Sequence, residues 1–282
     1  MPLIGAHVSI QGALCNAFER ARSINCTAFQ MFTRNPRGWK AKKLEKKDFN
    51  DFISELKRTE LFPIAHMPYL PNIASPDANN YERSVSILAE ELQKCHCLRI
   101  PYLVTHLGSH MGTSEEEGIE RVTSACNRAI KESEGNSMLL LENTAGQKNS
   151  VGYTFEQLER CLSLVEDQKR IGICYDTCHG FAAGYDIRSA QKVDSFIKDF
   201  EDVIGLDRLK MIHSNDSKGD LNDHLDRHEH IGAGKIGLEG FKSFLSVKEI
   251  RDLPIIIETP QDSLEQCLND IKTLWDIVSA KI

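Results

Sequence analysis

Seven short apolar runs in this chain end on a histidine or an acid, the side chains that bind metals and move protons. LIGAH ends at His7, FPIAH at His66, YLVTH at His106, MLLLE at Glu142, IGICYD at Asp176, LKMIH at His213 and PIIIE at Glu258. Charged groups at the ends of buried strands are uncommon unless paired or metal-bound, so their recurrence asks for one shared site. The nine cysteines include no C-x-x-C pair, so zinc or a similar divalent metal would be held by imidazole and carboxylate. The acids exceed the needs of one ion. A carboxylate can bridge two ions about 3.5 to 4 Å apart, the arrangement that activates water and stabilises both oxygens of an in-line phosphoryl displacement.

Two stretches add donors. In IGICYDTCHGFAAGYD, residues 171–186, strand period puts Asp176 at the strand's mouth, presented to a pocket and not buried, with His179 on the loop that follows. In HLDRHEHIGAGKIG, residues 224–237, Asp226 and His228 stand two apart and can point the same way from an extended segment. Glycines then bend that segment back toward the mouth. With His179 this pair would complete a three-ligand set with positions open to water or substrate. His230 competes with His228 for the place beside Asp226, and spacing alone leaves both open. His224 and His228 are four apart, like the ligands of a helical metalloprotease, but no Glu follows the first, and Asp223 and Asp226 suggest a loop. Cys95, His96 and Cys97 fall at the end of an expected helix, where buried thiols and a C-terminal His account for them.

A second kind of chemistry is written in TRNPRGWKAKK, residues 33–43. Arg34, Arg37, Lys40, Lys42 and Lys43 surround Trp39, with Pro36 and Gly38 forcing a turn. Basic groups interleaved with an aromatic can contact phosphates and stack on or wedge beside bases. Tyr69 and Leu70, in HMPYLPNIAS after His66, offer an aromatic and an apolar tip on the same rim.

These residues need a frame that brings strand ends together. The 282 residues are 41% hydrophobic and 27% charged, an ordinary globular composition. A net charge of −7 argues against a nonspecific nucleic-acid coat, though it leaves room for a locally basic surface and for bound cations. Nine irregularly placed cysteines suit reduced thiols, and no stretch approaches the roughly 20 apolar residues of a membrane span, so a cytoplasmic protein without membrane contact is expected. Strand-length runs are expected at Leu3 to Val8, Thr27 to Phe32, Phe62 to His66, Tyr102 to His106, Met138 to Glu142, Ile171 to Asp176, Leu209 to His213 and Pro254 to Glu258. Helical periodicity fills the gaps, at Asp48 to Glu60, Tyr81 to Cys95, Glu115 to Glu132, Thr154 to Val165, Ala190 to Ile204 and Ser263 to Ser279. This alternation, with no Pro/Gly/Ser-rich linker, predicts an α/β fold: a (β/α)8 TIM barrel over residues 1–282 as one domain, its chemistry at the C-terminal strand ends.

Longer motifs carry a resemblance. GAHVS (5–9), FTRNPRGW (32–39), HMPYLPN (66–72), THLGSH (105–110), LENTAGQ (141–147), YDTCHGFAAGYD (175–186), HSND (213–216), DRHEHIGAGKIG (226–237) and IIIET (255–259) resemble endonuclease IV, the zinc-dependent apurinic/apyrimidinic endonucleases of base excision repair. The resemblance spans essentially the whole chain in order. It implies a barrel with three Zn2+ ions: one held by His66, His106 and Glu142, a second by Glu142, Asp176, His213 and Glu258, a third by His179, Asp226 and His228, which favours His228 over His230. Glu142 would bridge, and Glu142 and Glu258 would serve catalysis. Four carboxylates against three zinc ions leave the loaded mouth net positive despite the acidic chain. The implied substrate is double-stranded DNA with an abasic site, cut on its 5′ side by a monomer to leave a 3′-hydroxyl and a 5′-deoxyribose phosphate, with cleaning of blocked 3′ ends as a further activity. Arg37 and Tyr69 would enter the minor groove, with Asn35, Trp39, Leu70 and His7 as further DNA contacts; Gly38 stands where some members carry a longer polar residue. The main rival is a metal-dependent sugar isomerase or epimerase on the same barrel, since fold does not fix function. A noncatalytic lesion binder is the other rival, and it would have little use for so many ligands.

Overall fold

Alternation along each strand decides what the barrel contains. The structure, a computed structural model, describes residues 1–39, 43–260 and 263–280, so Lys40 and Lys42 of the basic loop lie outside the described residues. The strands in chain order are β1 (Ile4–His7), β2 (Ala28–Phe32), β3 (Phe62–His66), β4 (Tyr102–His106), β5 (Met138–Glu142), β6 (Ile171–Asp176), β7 (Leu209–His213), β8 (Asp216–Ser217), β9 (His228–Glu229) and β10 (Ile255–Ile257). β1 to β7 and then β10 close into an all-parallel barrel, while β8 and β9 pair antiparallel as a separate ribbon. Five strands match their expected bounds. β10 is shorter than expected because Pro254 has no N–H to give the ladder and the Glu258 N–H donates to Asn215 Oδ1 at 2.7 Å.

Inside the barrel, Ala28, Ile64, Val104, Leu140, Cys174, Met211 and Ile256 form one buried apolar layer, with Phe62, Tyr102 and Met138 packed below it. Because side chains on one face recur every second residue, the next inward positions are Gln30, His66, His106, Glu142, Asp176, His213 and Glu258. One register therefore fixes both the apolar floor and the polar layer above it.

The barrel's outer face carries the larger core, against which the helices pack. Parallel strands need such crossovers. Ser114 caps the helix Glu115–Glu132, its hydroxyl accepting from the Glu117 N–H while the Glu117 side chain reaches back. The helix Ala78–Leu98 begins at Asp77, whose side chain accepts from Asn80 N–H, and ends where Arg99 turns left-handed. It runs three residues beyond each end of the expected Tyr81 to Cys95, and Cys95 is buried in its last turns. No helix among the described residues is long and apolar enough to cross a membrane.

Candidate metal centre

Glu142, at the end of β5 and fully buried, is the centre of the polar layer. Its Oε2 lies 3.0 Å from His66 Nε2 and 3.2 Å from His106 Nε2; its Oε1 lies 2.9 Å from His213 Nδ1 and 3.5 Å from His179 Nδ1. Four overlapping groups of donor atoms come within ligand range: His66, His106 and Glu142; Glu142, Asp176, His213 and Glu258; His179, Asp226 and His228; and Asp176, Cys178 and His228. The first three are the sets expected from sequence. The fourth brings in Cys178, but burial and the Asp176 charge push its thiol up so that it keeps its proton.

Whether these sets suit a divalent metal is answered by the back of each ring. His66 Nδ1 donates to Met67 O at 2.7 Å, His179 Nδ1 to Asn143 O at 2.9 Å and His228 Nδ1 to Glu258 O at 2.9 Å. A carbonyl oxygen can only accept, so the proton is on Nδ1 and the Nε2 lone pair faces the cluster. In His213 the roles reverse: Nε2 donates to Gln30 Oε1 at 2.8 Å, turning Nδ1 toward Glu142, Asp176 and Glu258. His228 Nε2, buried and without a hydrogen bond, lies 3.3 Å from Asp226 Oδ1 and 3.8 Å from Asp176 Oδ2. Lone pairs aimed at carboxylate oxygens across such distances require a cation between them, a proton or a metal. The donor set fits zinc.

Protonation follows the same logic. Burial alone would raise the Glu142 carboxyl, yet the His106 and His213 imidazoles hold it well below the usual carboxylate range. Burial works against charge on His228, but Asp176 and Asp226 push it up to about 9. His213 and His179 are raised likewise against burial, whereas for His106 burial wins and its pKa falls.

Two expectations about Asp176 and His179 are corrected. Asp176 is fully buried, because Asn143 and Asn215 close over it: the Asp176 N–H donates to Asn143 Oδ1 at 2.6 Å and Asn215 Nδ2 donates to Asp176 Oδ2 at 2.6 Å. His179 lies in a helix, Thr177–Ala182, and not in a loop; Asp176 Oδ1 caps that helix by accepting the His179 N–H at 2.9 Å. The helix turns the ring toward Asp226, whose Oδ1 is 3.2 Å from His179 Nε2. His230, the competitor of His228, points away to Asp270 Oδ2 at 2.8 Å, and His224 Nδ1 donates to Ala145 O at 3.0 Å.

The rim departs further from expectation. Arg34 is buried with its guanidinium on Glu91 and Glu90, at 3.4 Å each, and its Nη2 donates to Trp39 O at 2.9 Å. Trp39, expected to touch DNA, is half-buried against the core with Arg83 4.0 Å over its ring, because the turn folds onto the helix Ala78–Leu98. His7, expected beside DNA, instead faces the cluster, its Nδ1 3.1 Å from Glu258 Oε1, since strand parity points it at the barrel axis. Asn35 and Arg37 are exposed, Asn35 Oδ1 accepting the Arg37 N–H at 3.0 Å, and Tyr69 and Leu70 are exposed as expected. Tyr69 and Leu70 line a groove of about 460 Å³ that opens onto His106, His179 and Asp226.

Sequence reasoning missed several residues that hold the donor side chains in place. Gln30, fully buried, donates from Nε2 to Glu258 Oε1 at 2.6 Å and accepts from His213; strand parity with Ala28 was the available signal. Asp216, also buried, takes backbone N–H groups of Ser217, Gly232, Gly234 and Ile236 on one carboxylate and so folds the segment carrying His228 back on itself. A Cβ on Gly234 would stand 2.4 Å from Ser217 O, which is why that position has no side chain.

Residues 18–276 match the family model of xylose isomerase-like TIM barrels. A Methanoculleus marisnigri protein described as "Probable endonuclease 4" is 50% identical over 282 residues, 99% of this chain and 100% of that one. Its namesake from Nitrosopumilus maritimus is 48% identical over 92% of this chain and 94% of its own. Among solved structures, endonuclease IV from Thermus thermophilus aligns with a TM-score of 0.88 and 32% identity over 99% of this chain and 100% of that one. A D-tagatose 3-epimerase-like protein shares the fold alone, with a TM-score of 0.71 and 19% identity over 97% of each chain.

Proposed function

The chain belongs to the endonuclease IV family of nuclease hydrolases, and from that premise we propose that it cuts double-stranded DNA on the 5′ side of abasic nucleotides with three zinc ions. The observation that carries the reading is Glu142: its two oxygens are shared among four imidazoles, so one side chain joins the first and second donor sets. His66, His106 and Glu142 would hold one ion, Glu142, Asp176, His213 and Glu258 the next, and His179, Asp226 and His228 the third. When bound, zinc supplies Lewis acidity that lowers the pKa of water toward neutrality and offsets charge on the phosphate and leaving oxygens.

The chain's own residues do the rest. Glu142 and Glu258 are the proposed catalytic carboxylates; Gln30 and His7 fix one Glu258 oxygen and leave Oε2 facing His213 at 3.4 Å. The groove beside Tyr69 and Leu70 receives the extruded sugar and phosphate, and a nucleotide without a base costs less unstacking energy to extrude. Arg37, Asn35, Tyr69 and Leu70 are the proposed direct DNA contacts, with Trp39 and His7 acting from behind. Residues 1–282 would act as one unit and as a monomer, leaving a 3′-hydroxyl and a 5′-deoxyribose phosphate, and the same mouth would clean blocked 3′ ends.

The test is incubation of the zinc-loaded protein with a duplex oligonucleotide holding one abasic site, followed by analysis of the ends. Incision 5′ to the lesion is expected. Intact DNA with metal content verified would sink the reading, and cleavage on the 3′ side would sink the stated chemistry. Sugar isomerisation is disfavoured by the third donor set and by the exposed Arg37, Tyr69 and Leu70, features a small sugar would not need.

A further inference from the structure

Behind the mouth stands a buried carboxylate that belongs to none of the donor sets found among the described residues. Asp270, 3% exposed, lies on the final helix, Leu264–Ser279, which contributes no ligand to the three sets. Its Oδ2 accepts from Thr259 Oγ1 at 2.8 Å and from His230 Nδ1 at 2.8 Å, and its Oδ1 accepts from the Ile231 N–H at 2.9 Å. Thr259 follows Glu258 of the second set directly, and His230 stands two residues beyond His228 of the third. The ring is closed by His228 Nδ1, which donates to Glu258 O at 2.9 Å.

We propose that Asp270 is a positioning residue that fixes the spacing between the second and third metal positions by tying the segment of His228 to the strand end of Glu258. The assignment rests on the three-ion reading above. Other contacts hold the His228 segment in shape: the β8–β9 ribbon pairs Ser217 with His228, and Asp216 gathers the glycines that follow. The ribbon meets the end of β10 from its β8 side, where Asn215 Oδ1, next to Asp216, accepts the Glu258 N–H at 2.7 Å. On the β9 side, which carries His228, the tie to that strand end is made by the Asp270 clamp and the His228 bond to Glu258 O, and a three-donor buried carboxylate is a stiff way to make it. Partners bonded directly to a ligand change metal affinity about tenfold to a hundredfold when removed, which sets the scale for a clamp one residue beyond Glu258 and two beyond His228.

The experiment compares the full chain, zinc-loaded, as wild type and as Asp270→Asn, counting retained ions by native mass spectrometry during exposure to a chelator. Asparagine keeps the size but replaces one acceptor oxygen with a donor. The variant should release one ion about ten- to a hundredfold faster than wild type while the other two leave at wild-type rates. Its cobalt-substituted spectrum should change for one ion, and kcat should fall with KM for abasic duplex unchanged. Release of three ions at wild-type rates would overturn the proposal, as would equal acceleration of all three, which marks general loosening. Should Asp270→Asn fail to fold, Thr259→Val removes a single donor: faster release of one ion, restored by Thr259→Ser, supports the clamp, and unchanged release overturns it. A wild type that retains fewer than three ions sinks the three-ion reading and this assignment with it. That result is distinct from a clamp that fails while wild type and variant both hold three.

Discussion

Glu142 and Arg34 are both buried charges near C-terminal strand ends of the same barrel, and they are placed by different rules. Glu142 is the last residue of β5, so the strand's own period aims it at the axis, where imidazoles from β3, β4 and β7 meet it. Arg34 comes two residues after β2 ends. Parity no longer applies there, and the side chain is captured by Glu90 and Glu91 on the helix Ala78–Leu98. The part of the cluster gathered on the barrel strands is thus a product of the sheet, and the basic loop a product of the helix behind it. The two regions should fail separately when each support is removed.

The largest effect should come from the cluster. Glu142→Gln removes the anion shared by four imidazoles, and it is expected to lower zinc content and to slow incision about a thousandfold, as several kcal/mol of charge stabilisation is lost. Metal analysis and incision rates on one preparation check it. Full metal content at a normal rate would break the claim that this carboxylate joins two sets.

Acid and base should divide the stripped protein from the loaded one. In the absence of metal, the depressed Glu142 carboxyl adds stability that is present above its ordinary value of 4.5 and lost as pH falls through its lower folded value. The raised His228 adds stability that is complete below 6.5 and lost as pH rises through about 9. Zinc must displace those imidazole protons, so its hold strengthens over the same rise. The gap in Tm between zinc-loaded and chelator-treated protein should therefore widen from about pH 6 to pH 9. A gap that stays constant would mean that protons and metal do not compete for these rings.

The same contrast explains what could be read in advance. The strand-end donors were legible because a period of two continues from apolar floor to polar layer: Ile64 to His66, Val104 to His106, Leu140 to Glu142, Met211 to His213. Gln30 follows Ala28 by the same rule but is neither an acid nor a histidine, so residue type hid it. Past the last strand residue the pattern stopped informing. Asp176 reads as a presented acid, yet it is buried as the cap of a helix six residues long, too short to announce itself by periodicity. Trp39 reads as a stacking platform, but its partner Arg83 is 44 positions away, a contact that spacing does not encode.

The smaller effects belong to the loop and test whether its support lies in the helix. Glu91 is buried among Thr33, Arg34 and Lys94: the first two bonds tie the start of the loop to this side chain, and Lys94 braces it from the same helix. Glu91→Gln removes the charge that offsets Arg34, and displacement of Arg37 should follow. KM for abasic duplex should rise about tenfold, near the 1.4 kcal/mol of one DNA contact, with zinc content and kcat at wild-type values. A loss of zinc in this variant would erase the division between the two regions. Arg83→Ala removes only the cation stacked on Trp39 at an exposed position, a contribution of about 0.5 to 1 kcal/mol, so KM should rise roughly two- to fivefold. If Arg83→Ala matched Glu91→Gln, the indole and not the buried acid would be the loop's main anchor; if it left KM unchanged, Glu91 and Arg34 alone would suffice to hold Arg37 on the rim.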